Sequence, residues 1–141
     1  MNAKPNTDDL RSRHVRPQGM PWDTMRFPGC ECKTLLSDPK SGLATVLIKM
    51  APGATLPDHE HVLIEQTYVL EGSLVCDEGE CKAGDFVWRP AGSRHEAWGG
   101  PQGGLMLAMF QAPNKFFDKS GQVTDFLGND WQKAWGQAGG R

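Results

Sequence analysis

The sequence predicts an all-β domain, a small barrel or sandwich of short antiparallel strands. Three observations predict it. Seventeen glycines and ten prolines are scattered along 141 residues, which sets turns close together and leaves little room for helices. The apolar runs at residues 43–50 (LATVLIKM) and 105–110 (LMLAMF) have strand length and strand composition. No stretch keeps a helical period for more than about three turns.

Residues 1–19 are polar and carry Lys4, Arg11, Arg13 and Arg16. They read as an arm that either docks on a neighbour as a strand or stays disordered, and residues 20–141 form the single domain. Residues 21–28 make a loop anchored by Trp22. A strand is expected over residues 32–36 (CKTLL), and Ser37-Asp38-Pro39-Lys40-Ser41-Gly42 is dense in turn formers. Residues 43–50 form a strand. With Lys49 toward solvent, Val46, Ile48 and Met50 face a core or cavity. Ala51-Pro52-Gly53 turns the chain. Residues 66–70 (QTYVL) are a strand ending at a Glu71-Gly72 turn. Residues 73–76 and 80–82 form a hairpin over Glu78-Gly79. Residues 85–88 (DFVW) are a strand, Arg89-Pro90-Ala91-Gly92 a tight turn, and residues 93–98 (SRHEAW) lead out of it. A loop is expected over residues 99–104, then a strand over 105–110 buried on both faces or nearly so. Phe116-Phe117 and residues 123–127 close a last hairpin around Lys119-Ser120-Gly121. Asn129-Asp130 caps a short helix over residues 131–134, and residues 136–141 fray.

Composition bounds the function. A formal charge of -2 from 15 Lys+Arg and 17 Asp+Glu, with no long run of either sign, argues against nucleic acid or an anionic membrane as partner. The apolar runs are too short to span a bilayer. No apolar leader is visible, so a cytoplasmic location is expected. Cys30 and Cys32 stand too close for a relaxed disulfide and lack zinc-knuckle spacing. With Glu78-Gly79 as the turn, Cys76 and Cys81 face each other across the hairpin. In the cytosol reduced thiols are expected there.

Two stretches carry the chemistry. Residues 53–72 (GATLPDHEHVLIEQTYVLEG) hold His59 and His61 two apart, then Glu65. On a strand His59 and His61 project to one face and Glu60 to the other. Glu65 returns to that side if the parity stays even. Residues 84–99 (GDFVWRPAGSRHEAWG) add His95. Three histidines and a carboxylate are a usual ligand set for a divalent transition metal. A lone histidine is more often a satisfied core or surface group. His14, in the polar arm, is read that way. Parity puts Ala97 on the side of His95 and Trp98 opposite, so Trp98 packs rather than lining a pocket.

The spacing resembles the two signature motifs of the cupin superfamily. The first matches at Gly53, His59, His61, Glu65 and Gly72, and the second at Gly84, Pro90, Gly92 and His95. The usual final Asn is Gly99 here, which fills the same turn role. The resemblance implies an antiparallel jelly roll, or double-stranded β-helix, with one divalent metal ion per chain held by His59, His61, Glu65 and His95. Fe(II) is favoured, and Zn, Mn or Ni also suit these donors. Within the superfamily, PWDTMRFPGCECKTLLSDPKSGLATVLIKMAPGATLPDHEH, YVLEGSLVCDEGECKAGDFVWRPAGSRHEAW and FFDKSGQV are similar to small single-domain cupins of the anti-sigma-factor type. Relatives so organised include acetylacetone-cleaving and dihydroxyacetophenone dioxygenases.

That resemblance implies a non-haem Fe(II) dioxygenase acting on a small diketone or hydroxy-ketone. Glu65 is then a fourth ligand or a base beside the metal. Val46, Ile48, Met50, Met106 and Phe110 would wall the substrate pocket. The alternative is a non-catalytic metal- or ligand-binding sensor module. Sensor relatives carry a zinc-bearing helical domain, whereas residues 1–19 hold no cysteine and only His14. An isomerase or sugar-binding cupin fits least, because the single tyrosine, Tyr68, falls on the side opposite Glu65. Exposed edge strands and the polar arm lead us to expect a homodimer.

Overall fold

The structure, a computed structural model, describes residues 10–137. Ten strands run β1 (Asp23–Thr24), β2 (Cys30–Ser37), β3 (Ala44–Met50), β4 (Thr55–Glu60), β5 (Glu65–Cys76), β6 (Gly79–Lys82), β7 (Phe86–Arg89), β8 (Arg94–Phe110), β9 (Lys115–Phe117) and β10 (Val123–Thr124). One helix, α1 (Trp131–Trp135), follows them. Every ladder is antiparallel. The sheet order is β1-β2-β3-β8-β4-β9-β10, with β5 pairing β6, β7 and β8. The expected all-β class and jelly-roll character hold.

The long strand β8 is what curls the sheet. Its C-terminal half pairs β3 from Ala44↔Phe110 to Met50↔Gly104. Its N-terminal half pairs β4, where His59 lies opposite His95. Inward and outward residues alternate along β3, so Ala44, Val46, Ile48 and Met50 are buried while Thr45, Leu47 and Lys49 are only partly so. Residues 105–110 behave likewise. Met106, Ala108 and Phe110 are buried, but Leu105, Leu107 and Met109 are half-exposed. Burial is therefore complete on the inner face and partial on the outer one.

Two expected breaks are continuous strand. Glu71-Gly72 is not a turn: β5 runs through it, bent by register shifts on either side of Gly72. Residues 99–104 are not a loop but the middle of β8. Glycine is needed there for close approach rather than for turning. A Cβ on Gly100 would lie 1.8 Å from Ser73 Oγ, and one on Gly104 2.6 Å from Ser73 O. The β5–β6 hairpin turns on Asp77-Glu78, since Cys76 pairs Gly79. Cys81 accordingly sits opposite Leu74 rather than Cys76, and all four cysteines are free thiols.

The remaining elements anchor the ends. Lys33 Nζ donates to Pro17 O at 2.7 Å and stands over the Trp22 ring with Lys49, so this loop is held by its tryptophan as expected. Asp130 caps α1 through Lys133 N. The buried Asp125 carboxylate accepts from Leu127 N, Asn129 N, Asn129 Nδ2 and Trp135 Nε1, which pins α1 beside the barrel. Residues 1–9 of the predicted arm and 138–141 of the predicted frayed end lie outside the described residues. Among the described residues no helix is long and apolar enough to cross a membrane.

Candidate metal centre

Two local features bring the histidines together. His59 ends the inward series of β4, and its antiparallel partner across the ladder is His95 on β8. His61 lies just past β4, held by His61 N→Ser93 O at 2.8 Å and Gly92 N→His61 O at 2.7 Å. The Pro90–Ser93 turn thus fixes both His61 and the start of β8. The three imidazole centroids stand 5.0, 4.7 and 4.8 Å apart. One ring nitrogen from each lies within 4.8 Å of the others, a group that could hold a metal ion.

The hydrogen bonds select which nitrogens face inward. His59 Nδ1 donates to Pro57 O at 2.7 Å, and His61 Nδ1 donates to Ser93 O or Oγ at 3.0 and 2.9 Å. A backbone acceptor behind a ligating imidazole is the usual orienting device. Both Nε2 atoms are then left as lone-pair donors. His61 Nε2 and His95 Nδ1 are buried without a hydrogen-bond partner. Burial pushes His59 down, and burial together with the nearby Arg89 charge pushes His95 down to about 3. The His59 and His95 rings are thereby held in the neutral state, the one in which imidazole ligates.

Glu65 opens β5 and points at the same centre. Its Oε1 accepts from Thr67 Oγ1 at 2.9 Å and its Oε2 from Asn114 Nδ2 at 2.8 Å. Oε2 also lies 3.2 Å from His61 Nε2. With the His61 proton on Nδ1, these two atoms are acceptors facing each other. Such a pair needs a cation between them, a proton or a metal. Burial alone would raise the Glu65 carboxyl, but the adjoining His61 ring and the Asn114 amide donor outweigh it and hold it well below the usual range. Glu65 is not one of the three groups that mutually converge within 4.8 Å.

Two spaces meet at the histidines. An inner cavity of about 30 Å³ is lined by His59, Glu65, His95 and Asn114 and walled by apolar side chains, among them Val46, Ile48, Met106 and Phe110. An outer bowl of about 450 Å³ opens beyond it, lined by His61, His95, Arg89 and the β5–β6 hairpin. The inner space suits a water molecule or an ion, and the bowl suits a small organic molecule. Met50 is buried and lines neither space. It pairs Cys30 and Gly104 at the other end of the barrel. Trp98 packs away from the histidines against Thr55 and Val75, and His14 is exposed.

Sequence reasoning passed over Thr67, Arg89, Ser93 and Asn114. Thr67 was within reach, since it shares the face of Glu65 two residues on. Arg89 carried a subtler signal, an arginine at the inward parity of β7. Asn114 arrives from a loop with no periodicity to place it.

The fold has counterparts among known proteins. A family model, the ChrR cupin-like domain, matches residues 11–115. No curated protein matches the chain. Among solved structures, an acetylacetone dioxygenase candidate from Methylibium petroleiphilum PM1 is 20% identical, with a TM-score of 0.73 over 90% of this chain and 96% of that one. An acetylacetone dioxygenase from Acinetobacter johnsonii is 19% identical, with a TM-score of 0.68 over 97% and 95%. The Rhodobacter sphaeroides complex of SigE with the anti-sigma ChrR is 23% identical, with a TM-score of 0.59 over 67% of this chain and 50% of the matched one. These likenesses are of fold. The family match spans most of the domain that carries His59, His61 and His95, and the chain belongs to the ChrR cupin-like domain family.

Proposed function

We propose that this cupin is a non-haem Fe(II) dioxygenase acting on a small diketone or hydroxy-ketone. One observation carries the reading: three imidazoles converge at the junction of an apolar cavity and an open bowl, with two of them oriented through Nδ1. In this reading His59, His61 and His95 hold the ion, with Glu65 as a further ligand or as base. A bound divalent ion supplies Lewis-acid and template chemistry for the enolate and for oxygen. The chain's own part is to orient and to exclude water. Pro57 O and Ser93 fix two rings, while Thr67 and Asn114 aim the carboxylate of Glu65, whose Oε2 takes the acidic proton of the substrate if it does not ligate. Val46, Ile48, Met106 and Phe110 wall the inner space against bulk water. The structural likeness to acetylacetone dioxygenases supports the substrate class.

The second reading is a metal-binding sensor module, favoured by the family match and by the similarity to the SigE–ChrR complex. Metal analysis of anaerobically purified protein, followed by oxygen uptake on a panel of small diketones and phenolic ketones, separates the two. Iron with substrate-dependent uptake supports the dioxygenase. Tightly held zinc, or iron with no uptake, supports the sensor. The protein is further proposed to be a homodimer. Tyr68, Leu70, Phe86 and Trp88 are exposed on one outer sheet face, and light scattering tests whether a second copy covers it.

A further inference from the structure

The strand β7 is built inside out. It exposes Phe86 and Trp88, at 50% and 57%, and buries Arg89 at 7%. A strand with one solvated face normally does the reverse, so burying this cation needs a reason.

Its surroundings do not supply one. Both hydrogen bonds of Arg89 to described residues leave from Nη1, to Cys76 Sγ at 3.7 Å and to Glu78 Oε1 at 3.4 Å. The first is to a weak acceptor. The second is long, and the Glu78 side chain is 82% exposed, so solvent screens much of that pair. Arg89 lines both the inner cavity and the outer bowl, with His95 beside it in each. Among the residues lining the inner cavity, Glu65 is the one acid and Arg89 the one permanent cation. Their charges cancel there, and the other acids of the bowl, Asp77, Glu78 and Glu80, are exposed and screened by solvent, so little buried charge balances a divalent ion on the histidines. A buried guanidinium next to such an ion calls for an anion that spans both.

We propose that Arg89 is a specificity-determining residue that recognises a carboxylate on the ligand, so that the substrate is a keto acid rather than a neutral diketone. Bound in the bowl, such a molecule presents its carbonyl oxygens to the histidine centre and its carboxylate to the guanidinium, which exchanges the weak Cys76 contact for a bidentate one. This rests on the small-ketone reading above but not on oxygen chemistry.

The test compares two probes that share a diketone and differ in the carboxylate, acetylacetone and acetopyruvate. Each is titrated calorimetrically into anaerobic, metal-loaded protein. Acetopyruvate should bind about ten- to hundredfold more tightly, the range of a charge-assisted pair. Arg89→Met should erase that preference, bringing the affinity for acetopyruvate to that for acetylacetone in the same variant, and Arg89→Lys should restore part of it. Glu78→Gln, which frees Nη1, should preserve or strengthen acetopyruvate binding, and it keeps the test open if Arg89→Met does not fold. Equal affinity for both probes, or a preference that survives Arg89→Met, overturns the proposal. If neither diketone binds, the small-ketone reading fails. Oxalate and pyruvate then decide the matter for Arg89: protection against thermal unfolding that is lost in Arg89→Met sustains the carboxylate site, and no protection refutes it.

Discussion

Replacing Glu65 by Gln separates what this residue does for the fold from what it does for a metal. In the structure the carboxylate receives Thr67 Oγ1 at 2.9 Å and Asn114 Nδ2 at 2.8 Å. Each is a bond to a buried charged acceptor, worth about 1.5–3 kcal/mol. A glutamine keeps the shape and one acceptor but turns the other oxygen into a donor. The network can absorb that change. The Thr67 hydroxyl can rotate to accept, and Asn114 Oδ1, buried without a partner, can accept the new N–H after an amide flip. Desolvation of the charge is also removed. These opposing effects should leave the metal-free protein within about 1 kcal/mol of the parent. Metal affinity should behave differently, because the anionic oxygen facing His61 Nε2 at 3.2 Å becomes neutral. We expect a loss of roughly tenfold to a hundredfold even if Glu65 only orients the site, and more if it ligates. The assay pairs denaturant unfolding of the metal-free form with competitive chelator titration of the loaded form. Unchanged metal affinity would refute the placing of Glu65 at the metal. A large loss of metal-free stability would refute the claim that its network can re-form.

Three further outcomes follow from named contacts. His95→Ala should abolish metal retention, since the rings of His59 and His61 converge on it; a metal content equal to the parent's would dismiss the site. Ser93→Ala should cost less than about threefold in metal affinity, because Ser93 O remains 3.0 Å from His61 Nδ1 when Oγ is gone. A larger loss by the same chelator titration would show that Oγ is the operative acceptor. Gly72→Ala should destabilise the fold by roughly 3 kcal/mol or more. It combines a φ of 64° with a Cβ placed 2.1 Å from Gly103 O, and urea unfolding reads the result.

The sequence by itself carried whatever depends on local period and fixed spacing. The alternation in β3 put Val46, Ile48 and Met50 on one face because side chains along a strand alternate with period two. The same rule put His59 and His61 together, and it sent Tyr68 and Trp98 away from them. The end cap at Asp130 was legible because capping is decided within one turn. What lay between distant segments was not legible. Residues 99–104 read as a loop because four glycines in six residues look like turns. Only the tertiary structure shows that Gly100 and Gly104 are required by the backbone and side chain of Ser73 passing against them. The pairing Cys76↔Gly79 moved the hairpin turn by one residue and separated the two thiols, since a one-residue change of register reassigns every cross-strand partner. Met50 shares its face with Ile48, yet it falls outside the cavity, because parity fixes a direction and not a position along the barrel. Asn114 and Arg89 reached the histidines through the curl of the sheet around β8. That curl is set by long-range pairing, which no short window of residues encodes.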